Sequence, residues 1–193
     1  MSNSFSEDDK KKIEDSLIEQ GFILLKQGGI KAVNIDVITE SCYIAKGTFY
    51  SFFSSKSDFI YRIMKRKREQ TKEKLYEYLS ENNKLSKLGL KAYLKWMCEE
   101  NPNIFSYLNE QETRWLISKW PTEYLENEDN DETTSKWIIS LLENPKENSN
   151  WQLFCNYLKL VSWALNSKDY LIYDAYEQTI DELIDNACEC ICK

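Results

Sequence analysis

NIDVITESCYIAKGTFYSFFSSKSDFIYRIM, residues 34–64, holds two short helical patterns, a tight turn between them and the opening of a longer third pattern. Asn34 reads as the N-cap of a helix in which Ile35 and Ile38 face inward and which ends near Cys42. A second helix of two turns covers residues 45–52, with Phe49, Phe52 and Phe53 at the spacing of core residues. Residues 54–57 break the pattern. Ser55 with Asp58 three positions later makes a capping box for a long helix to about Leu79, whose inward face reads Phe59, Ile60, Ile63 and Met64. Upstream, Ser6 and Asp9 make another capping box, and Ile13, Leu17, Gly21, Leu24 and Leu25 recur on one face until Gly28 and Gly29 stop the helix.

A two-turn helix set behind a tight turn can enter a DNA major groove, whose width admits one helix. Lys46 and Gly47 stand at the N-terminal end of such a helix, Gly47 allowing close backbone approach and Lys46 offering a donor to guanine or phosphate. Thr48 and Tyr50 supply hydroxyls for phosphate oxygens. Lys56 in the first turn of the long helix, and Asn34 at the start of the second helix, suit backbone phosphates through nearby amide hydrogens. Charge is divided accordingly: residues 1–68 hold 12 Lys/Arg against 9 Asp/Glu, and the rest 13 against 23, within a net charge of -7. The basic clusters 10–12 and 65–68 supply much of the head's excess and equally suit solvated helix faces.

The whole stretch resembles the DNA-binding head of the TetR/AcrR family of transcriptional regulators. The matching residues are Ile38, Lys46, Gly47, Thr48, Phe49, Tyr50, Phe53, Ser55, Lys56, Asp58 and Phe59, joined in the first helix by Leu17, Leu24, Leu25, Gly29 and Ile30. Three residues depart from the family pattern: Tyr43 stands at the glycine of the turn, and Cys42 and Thr39 stand at alanines. Ala45 replaces the usual serine, which removes one phosphate contact or helix cap. A residue other than glycine at positive φ carries strain of order one kcal/mol, so Tyr43 signals a different turn geometry. The resemblance implies Asn34, Ala45, Lys46, Gly47, Thr48, Tyr50 and Lys56 as DNA-contacting positions.

Composition narrows what else the chain can be. Five Gly and three Pro among 193 residues leave room for long helices. No His is present, which removes imidazole catalysis and the commonest metal ligand; a Gly-rich phosphate loop and a paired metal motif are also missing, so no enzyme, cofactor or metal is expected. The start, MSNSFSEDDKKK, lacks the apolar stretch of a secretory signal, and no apolar run approaches the roughly 20 residues that cross a bilayer. A cytoplasmic protein with six reduced cysteines and no membrane partner is expected. Cys188, Cys190 and Cys192 cannot all share a helix face, so packing explains them better than metal binding.

Beyond residue 68 the periodicity predicts further helices: residues 85–100, one capped by Asn101 and Pro102 and continuing to Trp120, a short one over 133–142, and two last ones over 151–166 and from 169 to near Cys192. Residues 126–132 read as an acidic loop. All six Trp lie in this region, an excess that suggests a cavity for a small effector, as the resemblance also implies. Tyr93, Trp96, Tyr107, Glu112, Trp115, Tyr157 and Trp163 are the candidate effector residues, suited to an aromatic or cationic compound. The last two helices carry more apolar residues than one core needs. Leu158, Val161, Leu165, Ile180, Leu183, Ile184, Ala187 and Ile191 are the expected contacts of a homodimer built as a four-helix bundle.

The expected protein is therefore all-α, of about nine helices. Residues 1–60 form a three-helix helix-turn-helix DNA-binding head, and residues 61–193 an effector-binding and dimerisation body. Its expected role is a ligand-responsive repressor released by its effector from a palindromic DNA operator. The alternative is a helical protein-interaction module that no longer binds DNA.

Overall fold

The computed structural model describes residues 6–100, 103–125 and 131–193. Among these it is helical throughout, in ten α-helices, or nine without the single turn Thr122–Leu125; no strand forms, and β-pairing is confined to two isolated bridges. The helices are α1 (Glu7–Ala32), α2 (Ile35–Ser41), α3 (Lys46–Phe52), α4 (Lys56–Tyr76), α5 (Lys87–Glu100), α6 (Glu110–Lys119), α7 (Thr122–Leu125), α8 (Asp131–Leu141), α9 (Trp151–Asn166) and α10 (Tyr176–Ile191). No helix among the described residues is long and apolar enough to cross a membrane. The chain divides into two compact units. One contains the residues up to Glu69 together with 103–126; the other contains Gln70–Pro102 and Asn127–Lys193.

The first unit is closed by side chains that meet from successive helices. Leu17 and Leu25 of α1, Ile38 of α2, Phe49 of α3, and Phe59, Ile60 and Ile63 of α4 are wholly buried with Phe53 in one core. Both capping boxes act locally as expected. Ser6 accepts from the Asp9 amide at 3.1 Å, and Ser55 Oγ accepts from the Asp58 amide at 3.1 Å. The Asp58 carboxylate differs in detail, accepting from Ser54 N and Oγ rather than from Ser55. At Gly28 and Gly29 helical geometry is broken but a last turn to Ala32 follows, so the glycines kink α1 instead of ending it. Gly29 has φ 66°, the left-handed region open to glycine.

The segment 103–126 packs with the head. Trp120 donates its indole N–H to the Ser57 carbonyl at 2.9 Å, and Tyr124 stacks on Tyr61 with centroids 3.7 Å apart. The continuous helix expected up to Trp120 is not formed. A 3-10 turn, Ile104–Tyr107, comes first, and α6 begins only after Asn109. The reason is local: Asn103 and Asn109 each cap the amides after them, and Asn109 with Glu112 closes a full capping box that apolar spacing had masked. The expected cap at Asn101 and Pro102 lies outside the described residues.

In the second unit α10 packs on α9 and α5 around Leu90, Phe154, Ile184, Ala187 and Ile191. α9 has its expected limits. α10 starts at Tyr176 rather than 169, because residues 168–175 turn twice as 3-10 segments before the helix opens. Of the expected acidic loop, 126–130 lie outside the described residues, while Asp131 and Glu132 form the first turn of α8, where carboxylates complement the helix dipole.

Three lysines one turn apart on α5 pair with three acids one turn apart on α10: Lys87 with Glu189, Lys91 with Asp185, and Lys95 with Asp181 at 2.7 Å. Antiparallel helices bring such series into register. The pairing holds the Glu189 carboxyl below its ordinary 4.5 and the Lys87 and Lys91 ammonium groups above their ordinary 10.5. The carboxylate contribution is present above pH 4.5 and lost as pH falls through the lowered value. The ammonium contribution is present below pH 10.5 and lost as pH rises through the raised value. The second unit is therefore expected to resist urea best between these limits, by a small margin that high salt removes because the pairs are exposed. A urea midpoint unchanged by pH and salt in wild type, and by Lys91→Met, would contradict a stabilising ladder.

Candidate nucleic-acid interface

Rings hold α3 to the head by one face only. Phe49, Phe53 and Phe59 form a closed trio with centroids 5.0, 5.0 and 4.7 Å apart. That fixes the opposite face toward solvent. Lys46, Gly47, Tyr50 and Ser51 are exposed, Tyr50 by 50%, and a Cβ added at Gly47 would meet nothing. Thr48 is half-buried, and Ala45 is the exposed N-cap of α3 with no side-chain cap. Four of the seven expected DNA positions therefore lie together at the start and outer face of α3: Ala45, Lys46, Gly47 and Tyr50.

Asn34 is exposed, but its side-chain carbonyl already accepts from the Asp36 amide at 2.9 Å. Lys56 is half-buried, which pushes its ammonium below the ordinary lysine range, partly offset by the Glu112 carboxylate nearby. Of the basic clusters, Arg66 pairs with Asp15 at 3.4 Å, and Lys67 pairs with Glu19 at 2.7 Å. Both lysine and arginine there knit α4 to α1.

The turn before α3 keeps the geometry of a glycine turn without the glycine. Tyr43 N–H donates to the Glu40 carbonyl at 3.1 Å and Ile44 N–H to the Thr39 carbonyl at 3.0 Å, the two bonds of a Schellman cap. Tyr43 occupies its left-handed position, φ 56°, with 96% of its surface exposed. The expected change of turn geometry is thus overturned: the bonds hold the turn, and the residue takes the strain. Nothing packed against the ring offsets that strain, so Tyr43→Gly is expected to raise the head's unfolding free energy by up to about 1 kcal/mol, after the greater chain entropy of glycine is subtracted. A lowered thermal midpoint would contradict this. Thr39 is buried with its hydroxyl donating to the Ile35 carbonyl at 2.9 Å, so its polarity carries no penalty.

One member of the surface has no counterpart among the expected residues. Asp36, in the first turn of α2, pairs with Lys46 at 2.7 Å, and its carboxylate holds the Lys46 ammonium above the ordinary lysine range. Ten residues separate them, and only the crossing of α2 and α3 brings them together, so no spacing rule reveals the pair.

The expected effector residues divide between the two units. In the first, Tyr107 sets its edge against Phe22 at 6.0 Å, and Trp115 is 40% exposed. Glu112 accepts from the amides of Asn109 and Lys31 at 3.2 and 3.3 Å and lies against Gly29, where a Cβ would come within 2.6 Å of its carboxylate. That carboxylate is a structural clasp before it is a ligand site. In the second, Tyr93 is buried, donates to the Thr71 carbonyl at 3.2 Å and lies nearly parallel to Trp96 at 6.0 Å. Tyr157 is half-buried and Trp163 is 55% exposed on the outer side of α9.

The expected dimer residues also divide. Val161, Ile180, Ile184, Ala187 and Ile191 are buried within their own protomer, Ile191 completely, because α9, α10 and α5 cover one another. Leu158, Leu165 and Leu183 are half-buried. The apolar residues that α9 leaves exposed are instead Leu153, Leu160 and Trp163, at 42, 48 and 55%. Cys188 and Cys192 are buried, and burial pushes the Cys188 thiol up to about 12 and that of Cys190 up to about 11. Such thiols remain protonated and unreactive near neutral pH.

Residues 17–63 match the family model of bacterial regulatory proteins, tetR family. Over the whole chain the fold is similar to that of a TetR-family transcriptional regulator from Agrobacterium tumefaciens, at 17% identity and a TM-score of 0.65, covering 95% of this chain and 100% of that one. It is also similar to a TetR-like transcriptional regulator from Rhodococcus sp. RHA1, at 14% identity and a TM-score of 0.51, covering 94% and 96%. Comparison with curated proteins finds no match. An all-helical chain with this head is a transcriptional regulator of the helix-turn-helix class. It belongs to the TetR family.

Proposed function

We propose that the chain is a homodimeric repressor that binds a palindromic operator and is released from it by a small-molecule effector. The observation that carries the reading is the outer face of α3, where Lys46, Gly47 and Tyr50 stand exposed on a helix anchored from behind by Phe49 and Phe53. Asn34, Ala45, Thr48 and Lys56 flank it. Residues 1–60 read the DNA in this account, and residues 61–193 take the effector and the second copy. Dimerisation uses α9 and α10, with Leu153, Leu160 and Trp163 joining the half-buried Leu158, Leu165 and Leu183 at the contact.

Release requires that the effector favour a head geometry that DNA does not. Tyr107, Glu112 and Trp115 belong to the segment that packs with the head, and Glu112 touches both the kink of α1 and the start of α4. An aromatic or cationic compound engaging these residues would act on the head directly.

Selection of bound duplexes from random DNA tests the proposal. An enriched inverted repeat with steeply salt-dependent affinity is expected, the logarithm of the binding constant falling by about 0.9 per phosphate contact for each decade of salt. The Asp36–Lys46 pair and the acidic balance favour a second reading, a protein-interaction module without DNA affinity. Absent or salt-insensitive duplex binding would establish that reading instead.

A further inference from the structure

We propose that Asp36 and Lys46 act together as a reader of one C·G base pair in each half-site, Asp36 accepting from the cytosine 4-amino group and Lys46 donating to guanine O6 or N7. The proposal rests on the DNA-binding reading of α3 and deepens it.

The pair is not explained by stability. Its side chains are 69 and 53% exposed, and exposed ion pairs contribute about 0–1 kcal/mol. Nor does a carboxylate suit a surface meant only for phosphates, which it repels. In the major groove a carboxylate is rewarded by an amino donor. Adenine presents its amino group beside the acceptor N7, which opposes a carboxylate, whereas cytosine presents the amino donor with guanine O6 next along the groove. Acceptor beside donor on the protein then faces donor beside acceptor on the DNA.

The spacing agrees with this match. The cytosine amino nitrogen and guanine O6 are hydrogen-bonded to each other at about 2.9 Å, and Asp36 Oδ1 lies 2.7 Å from Lys46 Nζ. The two side chains can therefore turn together to the base-pair edge without separating. Asn34 holds the Asp36 backbone through its amide, and Ala45, the residue before Lys46, has no side-chain group to compete for the ammonium. The carboxylate keeps Lys46 charged, as a donor to guanine must be.

The test compares duplexes selected from random DNA by wild type, Asp36→Ala and Asp36→Asn, followed by binding isotherms on duplexes changed at one position. Wild type is expected to enrich C·G at one position of each half-site, with discrimination of about tenfold or more. Asp36→Ala should lose that preference while keeping the others. Asp36→Asn should move it toward adenine, whose N6 and N7 suit an amide. Matching circular dichroism melts would show that both variants fold, as the exposed position implies. If Asp36→Ala raises affinity for all duplexes alike and leaves the base profile unchanged, Asp36 only restrains Lys46 and the proposal is overturned. If wild type enriches no repeat, the DNA-binding reading falls, and this proposal with it.

Discussion

Phe59→Ala is expected to lower the unfolding free energy of the first unit by about 3–5 kcal/mol, the cost of deleting a fully enclosed aromatic ring. Phe59 has no exposed surface and meets Phe49 and Phe53 edge to face, contacts that add to simple burial. Its ring also lies over Gly21: a Cβ there would stand 2.6 Å from Phe59 Cε1 and 2.8 Å from Ile63 Cδ1. One side chain thus joins α1, α3 and α4. Domains are stable by about 5–15 kcal/mol in all, so the loss would leave the head marginal and α3 without its support. Gly21→Ala should act from the other side by crowding, costing about 1–3 kcal/mol. Urea unfolding followed by tryptophan fluorescence measures both, since Trp120 is tied to Ser57 at the start of α4. A Phe59→Ala midpoint close to wild type would refute this account of how α3 is held.

Replacing Lys46 and Tyr50 together by Ala is expected to weaken operator binding at least 100-fold, on the basis of about 1–3 kcal/mol for each specific contact. Neither residue is part of the buried core. Melting temperature and oligomeric state should therefore stay as in wild type, and the salt dependence of the residual affinity should be shallower. Binding that survives the double substitution unchanged would remove α3 from recognition.

Much of the head is legible because its signals are local. Ser6 with Asp9, Asn34 before Asp36, and Ser55 with Asp58 are capping pairs a few residues apart, and their bonds form as the spacing implies. The inward residues of α4 follow helical period and are all buried. Competition between local signals is harder to judge. Apolar spacing through Ile104, Leu108 and Leu116 suggested one helix, but Asn103 and Asn109 bind the amides that such a helix would need. Periodicity likewise marked α10 as apolar without indicating which neighbour covers it.

Composition and spacing by themselves determined the helical class, the limits of α2, α3 and α9, and the face of α3 that packs, since each depends on residues within one or two turns. Tertiary structure alone decided that Asp36 meets Lys46, that the segment 103–126 belongs with the head, and that Ile184, Ala187 and Ile191 lie inside their own protomer. Those facts depend on how helices distant in sequence cross, and a helix's pattern specifies the face it buries but not the partner that buries it.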